Sequence, residues 1–279
     1  MHKFNNKVAI VTGGASGIGR ALSEELGSRG ANVIVADINL DGAGQTASGI
    51  NQDTGRNGGC AIATLLDVTR PEAVQSLVSE TMARYGRLDY MFNNAGIGVG
   101  GELRDLTIEH WRPIIEINLW GVIHGTSAAY SVMTTQGFGH IVNTASLAGL
   151  IGSPAMTPYA TTKYAVVGFS TSLRAEAEGL GVKVSVVCPG FVQSGIYEAA
   201  TVVNASKQDI VARIPVKVMD ARAAARIILR GVLRNRAIIV FPFYARLLWW
   251  LTRMNSAFVG PFYRKAVRDF RKTRVDPEC

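Results

Sequence analysis

Tyr159 and Lys163 lie four residues apart and carry the first suggestion of chemistry in the chain. On a helix that spacing puts both side chains on one face. A free tyrosine has a pKa of about 10 and is a poor base near neutral pH. A neighbouring ammonium favours the tyrosinate, which lowers that pKa and makes the hydroxyl a usable proton donor and acceptor. Ser146, 13 residues earlier at the end of a β-branched run, offers a hydroxyl that could orient a substrate oxygen. Lys163 is the sole charge between Ala160-Thr161-Thr162 and Tyr164-Ala165-Val166-Val167-Gly168, as expected of a cation with a specific partner. Taken alone, a Tyr-x-x-x-Lys pair is also what any amphipathic helix offers, and Ser146 would pass as a turn residue.

A second constellation lies near the N-terminus. Thr12-Gly13-Gly14-Ala15-Ser16-Gly17-Ile18-Gly19 follows an apolar run and opens a helical pattern. Glycines let a backbone turn sharply and approach a pyrophosphate, and a helix N-terminus adds free N–H groups and a favourable dipole. Gly13, Ser16, Gly17, Ile18 and Gly19 are therefore candidate dinucleotide contacts, although glycines also make ordinary turns. Asp37 ends the second apolar run, 18 residues after Gly19. A carboxylate there accepts hydrogen bonds from the adenosine ribose and repels a 2′-phosphate. Neither Ser16 nor Ile38 is a base that could pair with such a phosphate, so NAD is expected in preference to NADP. The positive charge of an oxidised nicotinamide would favour the Tyr159 anion further. Tyr159 would then take an alcohol proton as hydride leaves carbon, or return it in the reverse direction.

Short β-branched runs alternate with helix-length segments and supply the frame for these residues. Strands are expected at Val8–Val11, Val33–Ala36, Ile62–Leu66, Tyr90–Phe92, Ile141–Val142, Val184–Val187 and Ile238–Phe241. Helices are expected at Gly17–Ser28, Pro71–Tyr85, Ile108–Met133, Tyr159–Glu178 and Ala221–Leu233. Most of the strand runs are apolar throughout, the pattern of a sheet covered on both faces. The fold class implied is α/β, a Rossmann-type doubly wound parallel sheet of about seven strands with its ligands at the carboxyl strand ends. A single domain over 1–245 and a basic, aromatic C-terminal extension over 246–279 are expected.

Across residues 5–245 the chain resembles the classical short-chain dehydrogenase/reductase family. Thr12–Gly19, Asp67-Val68, Asn93-Asn94-Ala95-Gly96, Asn118, Ser146, Tyr159-x-x-x-Lys163 and Pro189-Gly190 stand in the family's order and spacing. The resemblance implies that Asp67 and Val68 contact the adenine, and that Asn94, with Ala95 and Gly96, lies beside the cofactor. It implies that Pro189, Gly190, Val192 and Ser194 hold the nicotinamide end, where the family commonly has Thr in place of Ser194. Tyr159 and Lys163 would touch the cofactor as well as act in catalysis, and Asn118 would hold a water in a proton relay through Lys163. It implies a homodimer or homotetramer through the long helices. A nonenzymatic dinucleotide sensor would keep the glycine loop and could lose Tyr159 or Lys163, whereas all four catalytic positions are filled here. An NADP-dependent carbonyl reductase of the same family is the alternative within the enzyme class, disfavoured by Asp37.

The 279 residues are 48% hydrophobic and 18% charged, a balance that excludes a disordered chain. Cys60, Cys188 and Cys279 match no metal-ligand spacing; no metal is expected, and the sparse cysteines fit a reducing compartment. No signal peptide and no spanning segment stand out, so a cytoplasmic location is expected. Residues 213–279 hold 15 of the 29 Lys and Arg but four of the 21 Asp and Glu. No nucleic-acid motif accompanies that charge, and no nucleic-acid partner is expected. Substrate choice is expected to lie with 149–158, 98–105 and 191–215; the first is apolar, which suits a lipophilic alcohol or ketone. The aromatic, basic tail around Trp249 and Trp250 has the composition of an interfacial helix. It fits equally a helix packed on its own body or on another subunit, a lid over the substrate, or reversible membrane contact.

Overall fold

The computed structural model describes residues 3–53, 59–214 and 216–275; Cys279 lies outside them. In chain order the elements are β1 (Val8–Thr12), α1 (Gly17–Gly27), β2 (Asn32–Asp37), α2 (Leu40–Asp53), β3 (Ala61–Leu65), α3 (Pro71–Tyr85) and β4 (Tyr90–Asn93). A two-residue strand, β5 (Val99–Gly100), precedes α4 (Ile108–Ile115), which passes through one π turn (Glu116–Trp120) into α5 (Gly121–Gln136). Next come β6 (Gly139–Thr144), α6 (Thr157–Glu176), β7 (Val182–Pro189), α7 (Ile196–Ala199), β8 (Thr201–Val202) and α8 (Lys207–Ala212). The chain closes with α9 (Ala221–Leu233), β9 (Ile238–Phe241), α10 (Phe243–Met254) and α11 (Gly260–Arg271).

Seven strands form one parallel sheet in the order β3-β2-β1-β4-β6-β7-β9, and β5 pairs separately with β8. The expected doubly wound sheet is present, and its order reverses between β1 and β4. Apolar runs explain it: all five residues of β1 are buried, as are the central four of β2. One face packs on α1, α2 and α9 through Leu22, Leu26, Ala43, Ile50, Ile228 and Leu229. The other packs on α3, α5 and α6 through Val74, Leu77, Val78, Ala129, Met133 and Leu173. Pro71 opens α3 at its first turn and Gly86 closes it in the left-handed conformation, as its termini required. The expected helix over Ile108–Met133 forms with a π turn inside it, a departure that period-3.6 reading does not register. In the glycine-rich stretch that becomes α2, Asn39 Oδ1 accepts the Gly42 N–H at 3.0 Å and starts the helix.

β6 leads into the Ser146 turn and is anchored by a buried histidine. His140 is 4% exposed, and its Nε2 lies 2.8 Å from Ser185 Oγ, whose own proton goes to the Arg236 carbonyl at 2.6 Å. The ring must therefore donate through Nε2–H, and burial, then Lys183 and Arg174, keep it neutral near pH 7 by holding its pKa down at about 3. A depressed folded value means that the unfolded chain takes up a proton first. Stability present above pH 6.5 is then lost as the pH falls from 6.5 toward about 3. His140→Gln should shrink the difference between urea midpoints measured at pH 7 and in mild acid; an unchanged difference refutes the assignment.

Candidate active site

The cofactor-side candidates gather at the carboxyl ends of β1, β2 and β4, where the strand order turns. Gly14 N–H donates to the Ala36 carbonyl at 3.2 Å, which lays the glycine loop against the end of β2. Asp37 fastens the same contact: Oδ2 accepts from Ala15 N–H and Oδ1 from Asn39 N–H, both at 2.9 Å. Each carboxylate oxygen uses one lone pair and retains another for a ribose hydroxyl. Ser16, the N-cap of α1, makes no side-chain cap, and no acid sits in the first turn. The helix dipole and the first N–H groups there meet no acid within the helix's own first turn, which fits the pyrophosphate of a dinucleotide. Gly17 has φ of +52°, and a Cβ on it would stand 2.8 Å from Ser194 Cβ, so the loop meets the 189–194 segment directly. Ile18 packs its side chain against the core, leaving backbone alone for a ligand.

The remaining candidates follow the carboxyl ends of β3, β4 and β7. Asp67 Oδ1 accepts from Thr69 N–H at 2.9 Å and from Thr69 Oγ1 at 2.7 Å, and these bonds hold its carboxyl below the ordinary range. Val68 is 9% exposed and offers its carbonyl to His124 at 3.0 Å. Asn94 is committed to the scaffold: its backbone N–H donates to Thr12 Oγ1 at 3.0 Å and its Nδ2 to the Thr12 carbonyl at 3.1 Å. Ala95 N–H shares the Thr12 hydroxyl at 3.1 Å. A Cβ on Gly96 would lie 3.0 Å from Asn118 Oδ1 and 3.5 Å from Lys163 Nζ, which brings this turn to the chemical centre. Gly190 N–H is held by the Phe241 carbonyl at 2.7 Å, Pro189 ends β7 beside Phe241, and Val192 is buried with a bridge to Met219.

At that centre, Tyr159 and Lys163 occupy one face of α6, with Lys163 Nζ 5.6 Å from the centroid of the Tyr159 ring. The specific partner expected for the lone cation is the Thr144 carbonyl at the end of β6, 3.0 Å from Nζ. Lys163 is 2% exposed, and burial draws its pKa down to about 8. The expected lowering at Tyr159 is not what the chain by itself produces. Burial raises the Tyr159 hydroxyl above its ordinary value, against a smaller lowering from its hydrogen bond with Ser146, while Lys163 spends a proton on Thr144. Ser146 caps a 3₁₀ turn by accepting the Ala148 N–H at 3.1 Å. Asn118 is fully buried within the π turn; its amide donates to the Ile97 carbonyl at 2.9 Å and accepts the Ile97 N–H at 2.8 Å. Beneath them Cys188 is buried, its thiol pushed up to about 12 and so kept as an inert hydrophobe. Among the described residues no His, Cys, Asp or Glu cluster could hold a metal ion.

Three residues that spacing did not single out complete the arrangement. Tyr244, from α10, accepts the Phe191 N–H on its hydroxyl at 2.6 Å and props the 189–194 segment. Tyr197, on α7, stands close enough to Tyr159 and Tyr244 for both to raise its pKa after burial, its largest cause. Tyr263, from α11, accepts the Gly152 N–H at 2.9 Å across 111 residues. The tail also grips the 98–105 loop: Arg274 lies 2.6 Å from Asp105 and 3.0 Å from Glu102, and Arg271 lies 2.7 Å from Glu102. Arg271 and Arg104 hold Glu102 down at about 2. Ser206 N–H bonds to the Thr273 carbonyl at 2.8 Å, so all three segments expected to choose the substrate touch the tail.

The model of the short chain dehydrogenase family matches residues 7–202, which span the glycine loop, Asn118, Ser146, Tyr159 and Lys163. The chain belongs to the short-chain dehydrogenases. It is 36% identical over 212 residues to the 3-oxoacyl-[acyl-carrier-protein] reductase FabG of Haemophilus influenzae, covering 76% of this chain and 84% of that one. It is 36% identical over 194 residues to the cyclohexanol dehydrogenase of an Acinetobacter species, covering 69% and 76%. Its fold matches a short-chain dehydrogenase/reductase of Burkholderia phymatum crystallised with NAD, at a TM-score of 0.78, 26% identity and full coverage of both chains. This short-chain dehydrogenase is thus an oxidoreductase of a family that uses a nicotinamide cofactor.

Proposed function

We propose that the enzyme interconverts a secondary, lipophilic alcohol and its carbonyl with NAD(H). The observation that carries this reading is the meeting of Tyr159 with Ser146 and Lys163 at the strand ends beside the glycine loop. When bound, the cofactor supplies the hydride acceptor or donor. Ser146 then orients the substrate oxygen, and Tyr159 takes the alcohol proton as the C–H bond is given up, or returns it to the oxygen of a reduced carbonyl. Lys163 keeps a positive charge on the tyrosine's side of the helix, and a nicotinamide cation beside the hydroxyl would offset the raising effect of burial. Asn118, braced by Ile97, is assigned to hold the relay water beside Lys163 and Gly96.

NAD is favoured over NADP by the Asp37 carboxylate, which is pinned at the loop where a 2′-phosphate would have to sit. Ile38, 70% exposed next to it, offers a flat apolar contact and no positive charge. The Burkholderia relative's NAD complex and the Acinetobacter relative's alcohol support the same reading. Turnover of secondary alcohols, including steroids and long-chain alcohols, followed by NADH absorbance, tests the reaction. Fluorescence titration tests the cofactor: NADH should bind well and NADPH poorly, and Asp37→Ala should narrow the ratio about tenfold or more. A wild-type preference for NADPH refutes the assignment of Asp37.

A further inference from the structure

On α10 the large apolar side chains divide into two sets. Tyr244, Ala245, Leu248 and Trp249 pack inward on the cluster around Leu147, Ile151 and Val240. Phe243, Leu247, Trp250 and Met254 are 77%, 44%, 56% and 58% exposed. Their spacing of i, i+4, i+7 and i+11 collects them within roughly a sixth of a turn on the face opposite Ala245. A surface helix normally places polar residues there. Phe258, in the turn between the two helices, and Phe262, in the first turn of α11, are exposed as well, at 58% and 40%. Isolated exposed hydrophobes are ordinary, but a contiguous stripe of aromatic and aliphatic groups marks an interaction site.

The charge around the stripe selects its partner. From Phe243 to Val275 the chain carries eight Lys and Arg against one acid, Asp269. Arg271 and Arg274 are occupied by Glu102 and Asp105, and Lys265 and Lys272 by Asp269. Arg246, Arg253, Arg264 and Arg268 are exposed and lie in no ion pair among the described residues. Arg246 and Arg253 flank the stripe on α10 itself, so pairing this face with a second copy would set their guanidinium groups against the same two. An anionic bilayer provides the opposite charge together with an apolar layer for Phe243, Leu247 and Met254, and Trp250 suits the headgroup level.

We infer that the exposed face of α10, with Phe258 and Phe262, is a docking surface for an anionic phospholipid membrane. No helix among the described residues is long and apolar enough to cross a bilayer, so the contact is peripheral. Its place in the fold gives the contact a consequence. The inward side of α10 supports the 189–194 segment through Tyr244, and α11 supports the 149–158 loop through Tyr263, so docking sets the substrate loops beside the lipid. The inference stands on the tail alone and does not depend on which cofactor or alcohol the enzyme uses.

Sedimentation of the full chain with vesicles of phosphatidylcholine, and of phosphatidylcholine mixed with phosphatidylglycerol, tests it at low and high salt. Binding should favour the mixed vesicles at least tenfold and weaken in high salt as the arginines are screened. The double variant Leu247→Ser, Trp250→Ser should lose at least tenfold in vesicle affinity while melting temperature and NADH binding stay within error, because both side chains are exposed. Binding that ignores these substitutions overturns the proposal. So does an absence of vesicle binding by a folded, monodisperse chain. If instead the double variant changes the oligomer size by light scattering and the parent ignores vesicles, the stripe is a contact between copies and the membrane reading is refuted.

Discussion

Tyr159→Phe should lower kcat/KM for alcohol oxidation by about 100- to 10,000-fold, the range associated with loss of a positioned general acid or base. NADH should still bind within a few-fold of the parent, because the substitution removes one hydroxyl and leaves the glycine loop, Asp37 and the 189–194 segment in place. The pH profile separates this outcome from a packing defect. Burial holds the Tyr159 hydroxyl above its ordinary pKa, so oxidation by the parent should rise with pH as that proton is lost. Reduction of the ketone should fall over the same interval. Tyr159→Phe should flatten both limbs, whereas a merely loosened site would keep them at lower amplitude. Single-turnover absorbance at saturating cofactor reads the effect directly. Activity within a few-fold of the parent would remove Tyr159 from the chemistry and leave the enzyme reading without its proton carrier.

What the amino-acid order made legible follows the range of the interactions involved. The buried strands are continuous apolar runs, and β9 over Ile238–Phe241 and α3 over Pro71–Tyr85 form with the expected boundaries. Helix α2 was less visible because its stretch is rich in glycine and its start depends on one asparagine cap. The π turn was invisible because it adds one residue to a helix whose apolar face otherwise continues. At the site, the spacing of Tyr159 and Lys163 announced a shared helix face, and a lone charge announced a partner. It could not name Thr144, since β6 meets α6 only after the sheet is assembled. Nor could it give the direction of the Tyr159 shift, which depends on how much water the fold excludes. Tyr244 and Tyr263 act over 53 and 111 residues through backbone amides, and such contacts leave no periodic trace.

Gly19→Ala is expected to cost the enzyme its dinucleotide site, although the same change elsewhere in a helix is benign. Alanine normally stabilises a helix interior by about 0.5–1 kcal/mol relative to glycine. Gly49 in α2 shows the ordinary case: it is exposed and a Cβ there meets nothing within 4 Å, so Gly49→Ala should raise the melting temperature slightly. At Gly19 a Cβ would overlap the Gly13 carbonyl oxygen, and it would also stand 2.7 Å from Asn94 Nδ2. Both obstacles belong to structure that cannot swing aside: Gly13 is backbone, and the Asn94 amide is bonded to the Thr12 carbonyl. The loop must therefore move away from α1, taking its N–H groups out of register with a pyrophosphate. A displacement of about 1 Å is enough to cost on the order of 100-fold at a positioned site. NADH titration of the two alanine variants, beside their thermal melts, decides the matter. If Gly19→Ala binds NADH like the parent and gains stability as Gly49→Ala does, the loop is an ordinary turn and the dinucleotide site lies elsewhere.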